Sequence, residues 1–295
     1  MKKLLFLAGL VILAVNSQAQ VMKSNIYVFD MKLVMNEVYQ FSNPRYLTFF
    51  NKDGYNNQPA FINSNELFIS VETPENPGQT DIYDLNLADN TKLQVTETPQ
   101  SEFSPMVTPD YFFFSVIREE TGEDSTRWVW QYPIDRTTGG RPLFNNIKNV
   151  SYYAWIDENK IAINVDGSSP QLVVLDATAD KVIKLSKNIG RCFQRLPNGN
   201  LAYVQKATAD TWFIKELDVN TYTSKIIFNT LPGVEDFAVL NNGTFLMGKG
   251  SRLYKYTPET DSDWVQIVNL SAFGITGITR IAVSDDWKVA VVTEL

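Results

Sequence analysis

A strand-turn-strand unit recurs along this chain, and it limits the fold more than any other feature of the sequence. In the clearest copy, the apolar runs from Ser104 to Val107 and from Tyr111 to Val116 flank Thr108-Pro109-Asp110. Residues 58–69 form a second copy, with Asn63-Ser64-Asn65 as the turn. Aromatic and β-branched residues favour strands, whereas Pro, Asp and Asn favour tight turns. Each copy therefore predicts a β-hairpin.

Six such copies are present when each is anchored on a small, polar or apolar residue of its first strand. In every copy an apolar second strand begins seven or eight residues after the anchor. The anchors lie 40 to 49 residues apart, at Pro59, Pro105, Ala154, Gln194, Ala238 and Ala282. This spacing is typical of a four-stranded propeller blade. We predict an all-β, six-bladed β-propeller, with five or seven blades as alternatives because the spacing is irregular.

The two ends of the chain complement each other. The sixth copy stops after its second strand at the C-terminus, while Ile26 to Asp30 and Glu37 to Phe41 resemble a third and a fourth strand with no pair before them. Shared closure of one blade would leave only short, protected sheet edges. We therefore predict a single domain over 20–295 in which both termini build the last blade.

The first nineteen residues have the order of a secretory signal peptide. Lys2 and Lys3 precede an apolar run from Leu4 to Val15, and Ser17-Gln18-Ala19 follows it. The run is shorter than the ~20 residues that span a bilayer, which argues against a membrane helix. Cys192 is the only cysteine, so we expect no lipid anchor. We predict cleavage after Ala19, export to the periplasm or the exterior, and no membrane insertion afterwards.

Charge and composition exclude several kinds of function. The formal net charge is −7, and removal of Lys2 and Lys3 with the signal peptide brings it to −9, which disfavours nucleic acid and anionic membranes as partners. The chain has no histidine. Ser-His-Asp and Cys-His triads and the usual zinc sites are therefore excluded. We predict a protein without a catalytic residue or a cofactor.

The repeat is similar to that of a known family. Asn57 to Phe61, and Phe103 to Val107 with Pro109-Asp110, resemble the repeat of TolB-type, WD40-like (PD40) propellers of the bacterial periplasm. In that family an Asn, a Pro and an aromatic residue precede a Ser-Pro-Asp-Gly-like turn. Ile82-Tyr83-Asp84-Leu85 resembles the family's third strand. The resemblance implies a propeller fold and a periplasmic location.

Two sets of residues are candidates for a site. The longest predicted loops are Glu72 to Thr80 and Arg118 to Thr126, and the second contains Glu119, Glu120, Glu123 and Asp124. Function concentrates on long loops held by a rigid scaffold. The first strands are expected to begin on the same face, around a central channel, with Gln58, Glu102, Tyr152, Arg191, Glu235, Asp236 and Arg280. These charges could bind a small polar ligand or a hydrated cation, or they could simply pair with one another.

Three functions fit these features. The first is a non-catalytic, monomeric interaction module that binds a protein or peptide of the cell envelope. The second is a calcium-dependent hydrolase of the lactonase type, with Glu102, Glu235 and Asp236 as ligands, because oxygen ligands suit Ca²⁺. The third is carbohydrate or small-ligand binding by aromatic residues such as Tyr152 and Tyr153. Fold alone does not choose among them, since propellers support many unrelated functions.

Overall fold

The protein is a six-bladed β-propeller in a computed structural model that describes residues 22–34, 38–121, 125–177, 179 and 181–295. Within these ranges, 24 strands form six four-stranded antiparallel sheets. The predicted fold class and blade number are confirmed. The predicted signal peptide and its cleavage site, together with Glu123 and Asp124, lie outside the described residues.

The first three complete blades follow one another along the chain. Blade 1 contains β3 (Tyr55–Asn63), β4 (Glu66–Glu72), β5 (Asp81–Asn86) and β6 (Thr91–Gln94). Blade 2 contains β7 (Ser101–Val107), β8 (Phe113–Glu120), β9 (Thr126–Pro133) and β10 (Arg141–Pro142). Blade 3 contains β11 (Val150–Trp155), β12 (Lys160–Val165), β13 (Gln171–Asp176) and β14 (Lys181–Lys187).

The next two blades repeat the arrangement. Blade 4 contains β15 (Ile189–Arg195), β16 (Leu201–Lys206), β17 (Trp212–Leu217) and β18 (Ser224–Asn229). Blade 5 contains β19 (Phe237–Val239), β20 (Phe245–Lys249), β21 (Arg252–Tyr256) and β22 (Val265–Asn269). Every predicted anchor lies in the first strand of its blade. Two short 3-10 helices, Phe49–Asn51 and Ser271–Phe273, lie between blades.

Blade 6 is built from both ends of the chain, as the sequence predicts. Its strand order is β2-β1-β24-β23, with β1 (Ser24–Val34) and β2 (Val38–Tyr46) from one end and β23 (Ile278–Val283) and β24 (Lys288–Glu294) from the other. The pairing of β1 with β24 runs from Ser24 opposite Glu294 to Asp30 opposite Lys288. This antiparallel ladder closes the ring.

Apolar clusters between neighbouring blades form the core. On β24, Val289 and Val291 pack toward blade 5, whereas Ala290 and Val292 pack toward blade 1. All four residues are fully buried. The second strands are apolar on both faces because each blade lies between two others, and burial of apolar surface drives their packing. No helix among the described residues is long and apolar enough to span a membrane.

Candidate functional site

A cavity of about 90 Å³ lies where the six first strands meet at the centre of the ring. Five of the residues predicted at the channel line it, namely Gln58, Tyr152, Arg191, Asp236 and Arg280. The strand starts converge here because each blade presents its first strand to the axis. The cavity is the candidate site.

Arg280 connects blades 3 and 6, which lie opposite each other in the ring. Its Nη2 donates a hydrogen bond to the Tyr152 hydroxyl at 3.1 Å, and its guanidinium carbon lies 5.1 Å from the centre of the Tyr152 ring. Its Nη1 lies 3.5 Å from Oδ2 of Asp236. The Asp236 Oδ1 accepts a hydrogen bond from the Ile281 backbone N–H at 2.9 Å. Burial raises the pKa of Asp236, and the Arg280 charge opposes that rise.

Arg191 contributes the second guanidinium. Its Nη2 donates to the Thr279 carbonyl oxygen at 2.9 Å, while its Nε lies 3.7 Å from Oε1 of Glu235. Glu235 has a closer partner in Lys206, whose Nζ is 2.7 Å from Oε2. Glu235 therefore lies beside the cavity and is neutralised mainly by Lys206. Asp236 pairs with the channel residue Arg280, as the predicted alternative of mutual pairing expects, whereas Glu235 pairs mainly with Lys206, which the sequence analysis does not place at the channel.

Tyr55, the first residue of β3, belongs to the same cluster, although the sequence analysis does not include it. Burial raises its pKa to about 12, and the charges of Arg280, Arg191 and Glu72 also act on it. Its position at the beginning of a first strand is the signal that could have identified it, because the other members occupy equivalent positions.

Two matching β-bulges form part of the cavity wall. Gln58 and Ser104 each precede a proline and have left-handed backbone conformations, with φ of 55° and 52°. The pairing register shifts at both places. Left-handed conformations are unfavourable for residues with a Cβ and concentrate at functional sites. The equivalent positions of blades 1 and 2 thus share a strained conformation at the cavity.

Glu102 is not at the channel, contrary to the prediction. Its side chain is fully buried between blades 1 and 2, where its Oε1 accepts hydrogen bonds from Thr98 Oγ1 and, at 3.4 Å, from the Tyr132 hydroxyl. The β7 bulge begins after Phe103, the residue that follows Glu102, so the start of this strand does not face the axis as the later residues do. Burial, reinforced by the charge of Asp81, raises the pKa of Glu102 to about 7, while the Thr98 hydrogen bond opposes the rise.

The Glu102 environment predicts a pH-dependent effect of Glu102→Gln. The folded-state pKa lies above the ordinary value of 4.5, so the wild type is most stable below that value and loses stability as pH rises through about 7. The glutamine amide of the Glu102→Gln variant does not ionise, so the variant does not lose this stability as pH rises. We expect Glu102→Gln to change the free energy of unfolding more favourably at pH 8 than at pH 5, by roughly 2 kcal/mol.

Urea unfolding of both proteins at the two pH values measures this difference. Glu97→Gln is the matched control because Glu97 is an exposed residue of the neighbouring loop. A Glu102→Gln effect that is the same at pH 5 and pH 8 would contradict the interpretation.

The predicted acidic loop begins later than expected. Arg118, Glu119 and Glu120 belong to β8 and not to the connection that follows it. Arg118 stacks on Trp130, with 3.9 Å between the guanidinium carbon and the ring centre, and donates to Gln100 Oε1 at 2.5 Å. These contacts hold Arg118 against blade 2 instead of leaving it in a solvated loop.

The ligand set proposed for calcium does not assemble. Glu102 lies between blades 1 and 2, Glu235 pairs with Lys206, and Asp236 pairs with Arg280. Within the described ranges, no group of three or more Asp, Glu or Cys side chains is close enough to hold a metal ion. The three carboxylates are separated because they face different neighbours.

Tyr153, a predicted candidate, and Cys192, the single cysteine, are both buried in the channel wall. Tyr153 is only 2% exposed, and its hydroxyl donates to the Ser104 carbonyl oxygen at 3.0 Å. It is therefore not available as an exposed aromatic surface for a sugar, whereas Tyr152 is half-buried. Cys192 is buried, and burial raises the pKa of its thiol.

Comparison with solved structures places this fold beside TolB. A protein assigned as TolB from Agrobacterium tumefaciens is 12% identical, with a TM-score of 0.67 over 93% of this chain and 99% of that one. TolB from Acinetobacter baumannii is 14% identical, with a TM-score of 0.57 over 92% of this chain and 64% of that one. At these identities the similarity shows the fold alone.

An enzyme shares the fold as well. XC5397 from Xanthomonas campestris, described as a gluconolactonase, is 8% identical, with a TM-score of 0.60 over 90% of this chain and 95% of that one. No protein-family model matches the chain, and no curated protein sequence matches it. Function must therefore be argued from the residues of the site.

Proposed function

We propose that the protein is a non-catalytic interaction module that binds a protein or peptide of the bacterial cell envelope. The observation that carries this proposal is a set of cation–aromatic pairs around the end of the propeller at which the first strands begin. The pairs are Arg280 with Tyr152, Lys206 with Trp212, Arg118 with Trp130 and Lys148 with Trp128. Arg, Trp and Tyr are the residues most enriched at the energetic centres of protein interfaces.

The predicted compartment supports the same proposal. A signal peptide and the resemblance to periplasmic propellers suggest that partners are encountered in the periplasm or outside the cell. We expect the protein to be a monomer that recognises its partner with the face just described. Fold similarity to TolB structures agrees with this function without selecting a partner.

A paired-variant capture experiment tests the proposal. Trp128→Ala with Trp212→Ala removes two half-buried aromatic rings from the binding face. Tyr111→Ala with Phe112→Ala removes two exposed rings from the β7–β8 turn at the opposite end and is the matched control. We expect one envelope protein to bind the wild type and the control, and to bind the Trp variant at least tenfold more weakly, because interface aromatic residues often contribute 2 kcal/mol or more.

Purified components then give the dissociation constants. Partner binding that is equal in the Trp variant and the control would place the interface elsewhere. The absence of any specific partner in extracts prepared under several conditions would count against an interaction module.

The lactonase alternative has support from the fold, through the similarity to the Xanthomonas gluconolactonase. The separation of Glu102, Glu235 and Asp236 is the observation against its proposed ligand set. Calorimetric titration with Ca²⁺ tests it directly. Specific binding that is lost in Asp236→Asn would favour the hydrolase, and absence of binding at millimolar Ca²⁺ would exclude that set.

A further inference from the structure

The central cavity has two chemically different sides. Pro59, Pro105 and Met106 line it from blades 1 and 2, and Phe193 adds an aromatic surface from blade 4. Arg191, Arg280 and Asp236 supply the charged side. A ligand that fills this space needs an apolar part and a polar or charged part.

The Gln58 side chain supplies a hydrogen-bond donor on the polar side of the cavity. The Gln58 Oε1 accepts from Ser70 Oγ at 2.7 Å and from the Ser104 backbone N–H at 2.8 Å. These two bonds fix the orientation of the amide, and its NH₂ donates to no group among the described residues. The Gln58 amide thus offers the cavity a donor with a fixed direction.

Ser104 is a strained residue of the cavity wall, and its unsatisfied Oγ is itself closed off from the cavity. The residue lines the cavity and is only 8% exposed, yet its Oγ has no hydrogen-bond partner in the part of the chain that the structure describes. Leaving a buried hydroxyl unsatisfied is costly, so such a group calls for an explanation. Its left-handed conformation adds strain at the same position.

The charge at the cavity favours an anion. Arg191 and Arg280 carry two positive charges, against one negative charge on Asp236. Glu235 is neutralised mainly by Lys206, because their 2.7 Å separation is much shorter than the 3.7 Å between Glu235 and Arg191. Arg191 Nε also has no hydrogen-bond partner within the described residues. One added negative charge would balance the lining residues.

The size of the cavity limits the ligand. Its volume of about 90 Å³ corresponds to roughly three water molecules, at about 30 Å³ for each in the liquid. That is well below the roughly 300 Å³ of a pocket for a drug-sized molecule. A carboxylate group with a short aliphatic chain matches the available space, the donors and the apolar wall.

We propose that the central cavity is a binding site for a short-chain monocarboxylate. The carboxylate lies between Arg191 and the Gln58 amide, and the aliphatic chain packs on Pro59, Pro105 and Met106. This site goes beyond the interaction surface proposed above, because it needs no protein partner. The carboxylate chemistry could come from a free acid or from a carboxyl group of a bound peptide.

Calorimetric titration of the purified protein with butyrate, butyramide and butylamine at constant ionic strength tests the site. We expect butyrate to bind at least tenfold more tightly than butyramide, which has the same shape without the charge, because hydrogen bonds to charged groups are the stronger ones. We expect no binding of butylamine. Equal affinity for butyrate and butyramide, or no binding of butyrate at 20 mM, would overturn the proposal.

Two variants identify the location. Arg191→Gln removes the charge, and Gln58→Glu removes the donating NH₂ but keeps an oxygen that accepts from Ser70 and Ser104, so it keeps the fold even if Arg191→Gln does not. We expect each to weaken butyrate binding about tenfold, whereas Arg195→Gln, an exposed arginine on the same strand, leaves it unchanged. Unchanged affinity in Gln58→Glu and in folded Arg191→Gln would show that butyrate binds elsewhere.

A competition experiment with peptides distinguishes a free acid from a peptide carboxyl group as the natural ligand. A short peptide with a C-terminal carboxylate is compared with the same peptide bearing a C-terminal amide, each in competition with butyrate. Displacement by the carboxylate form alone assigns the site to a bound peptide as well as to a free acid. Failure of both peptides to displace bound butyrate restricts the site to the free acid. Neither result bears on the capture of an envelope protein by the binding face.

Discussion

Deletion of the last eight residues, 288–295, is expected to unfold the whole domain instead of fraying one end. β24 lies between β23 and β1, so its loss removes the central ladder of blade 6. Val289, Val291 and Val292 are fully buried, and each contributes about 1.5–3 kcal/mol by burial alone. Their sum approaches the 5–15 kcal/mol that stabilises a typical domain. Both interfaces of the blade are lost together.

Circular dichroism during thermal unfolding measures the outcome. We expect the truncated protein to show no cooperative transition. Val291→Ala tests the same strand with a minimal change and should lower the transition midpoint, whereas Val265→Ala on the outer strand β22, where the valine is 43% exposed, should have little effect. A truncated protein that unfolds cooperatively at the wild-type midpoint would refute closure of the ring by both termini.

Loss of the Arg280 side chain is expected to destabilise the protein by about 3–5 kcal/mol, as in other buried ion pairs that lose one partner. Asp236 is 6% exposed in the wild type, and Arg280→Ala leaves its carboxylate with the Ile281 N–H as its remaining donor. It also removes the hydrogen bond to Tyr152. The cost comes from a charge that stays buried without its counterion.

The pH dependence of this variant has a defined sign. Burial already raises the pKa of Asp236, and removal of the arginine takes away the effect that opposes the rise. A carboxyl group with a raised folded-state pKa is most favourable at low pH and loses stability as pH increases through that pKa. The destabilisation by Arg280→Ala should therefore be smaller at pH 5 than at pH 8.

A second substitution separates charge from packing. Asp236→Asn in the Arg280→Ala background should recover part of the lost stability in urea unfolding, because no buried charge remains. Arg195→Ala, which changes an exposed arginine, should alter stability by less than about 0.5 kcal/mol. An Arg280→Ala effect that is independent of pH and is not reduced by Asp236→Asn would show that the ion pair is not its cause.

The blades were predictable from the sequence because their signals are local. Each hairpin combines a turn such as Pro197-Asn198-Gly199 with apolar runs on both sides, and the spacing of the hairpins gives the number of blades. Closure followed from two incomplete halves at the ends. These features depend on residues close together in the chain, where turn chemistry and strand preference act directly.

The site was predictable only in part, because side-chain direction depends on details that the repeat does not encode. Tyr152, Arg191 and Arg280 reach the cavity as the spacing suggests. Glu102 occupies a comparable position, yet the bulge in β7 follows it and it faces the neighbouring blade. In blade 1 the sequence pattern favours Gln58, and not Tyr55, as the residue nearest the channel mouth. A shift of register reverses which residues face inward, and single-sequence patterns do not reveal such shifts.

The contact between Arg280 and Tyr152 has a mechanical consequence for the ring. Strain introduced in blade 6 would ordinarily reach blade 3 only by passing around half of the circumference, through two intervening blades. The 3.1 Å hydrogen bond carries it across the diameter in a single step. A molecule that draws Arg280 away from Tyr152 would therefore break a direct link between blade 3 and the blade that holds both chain ends.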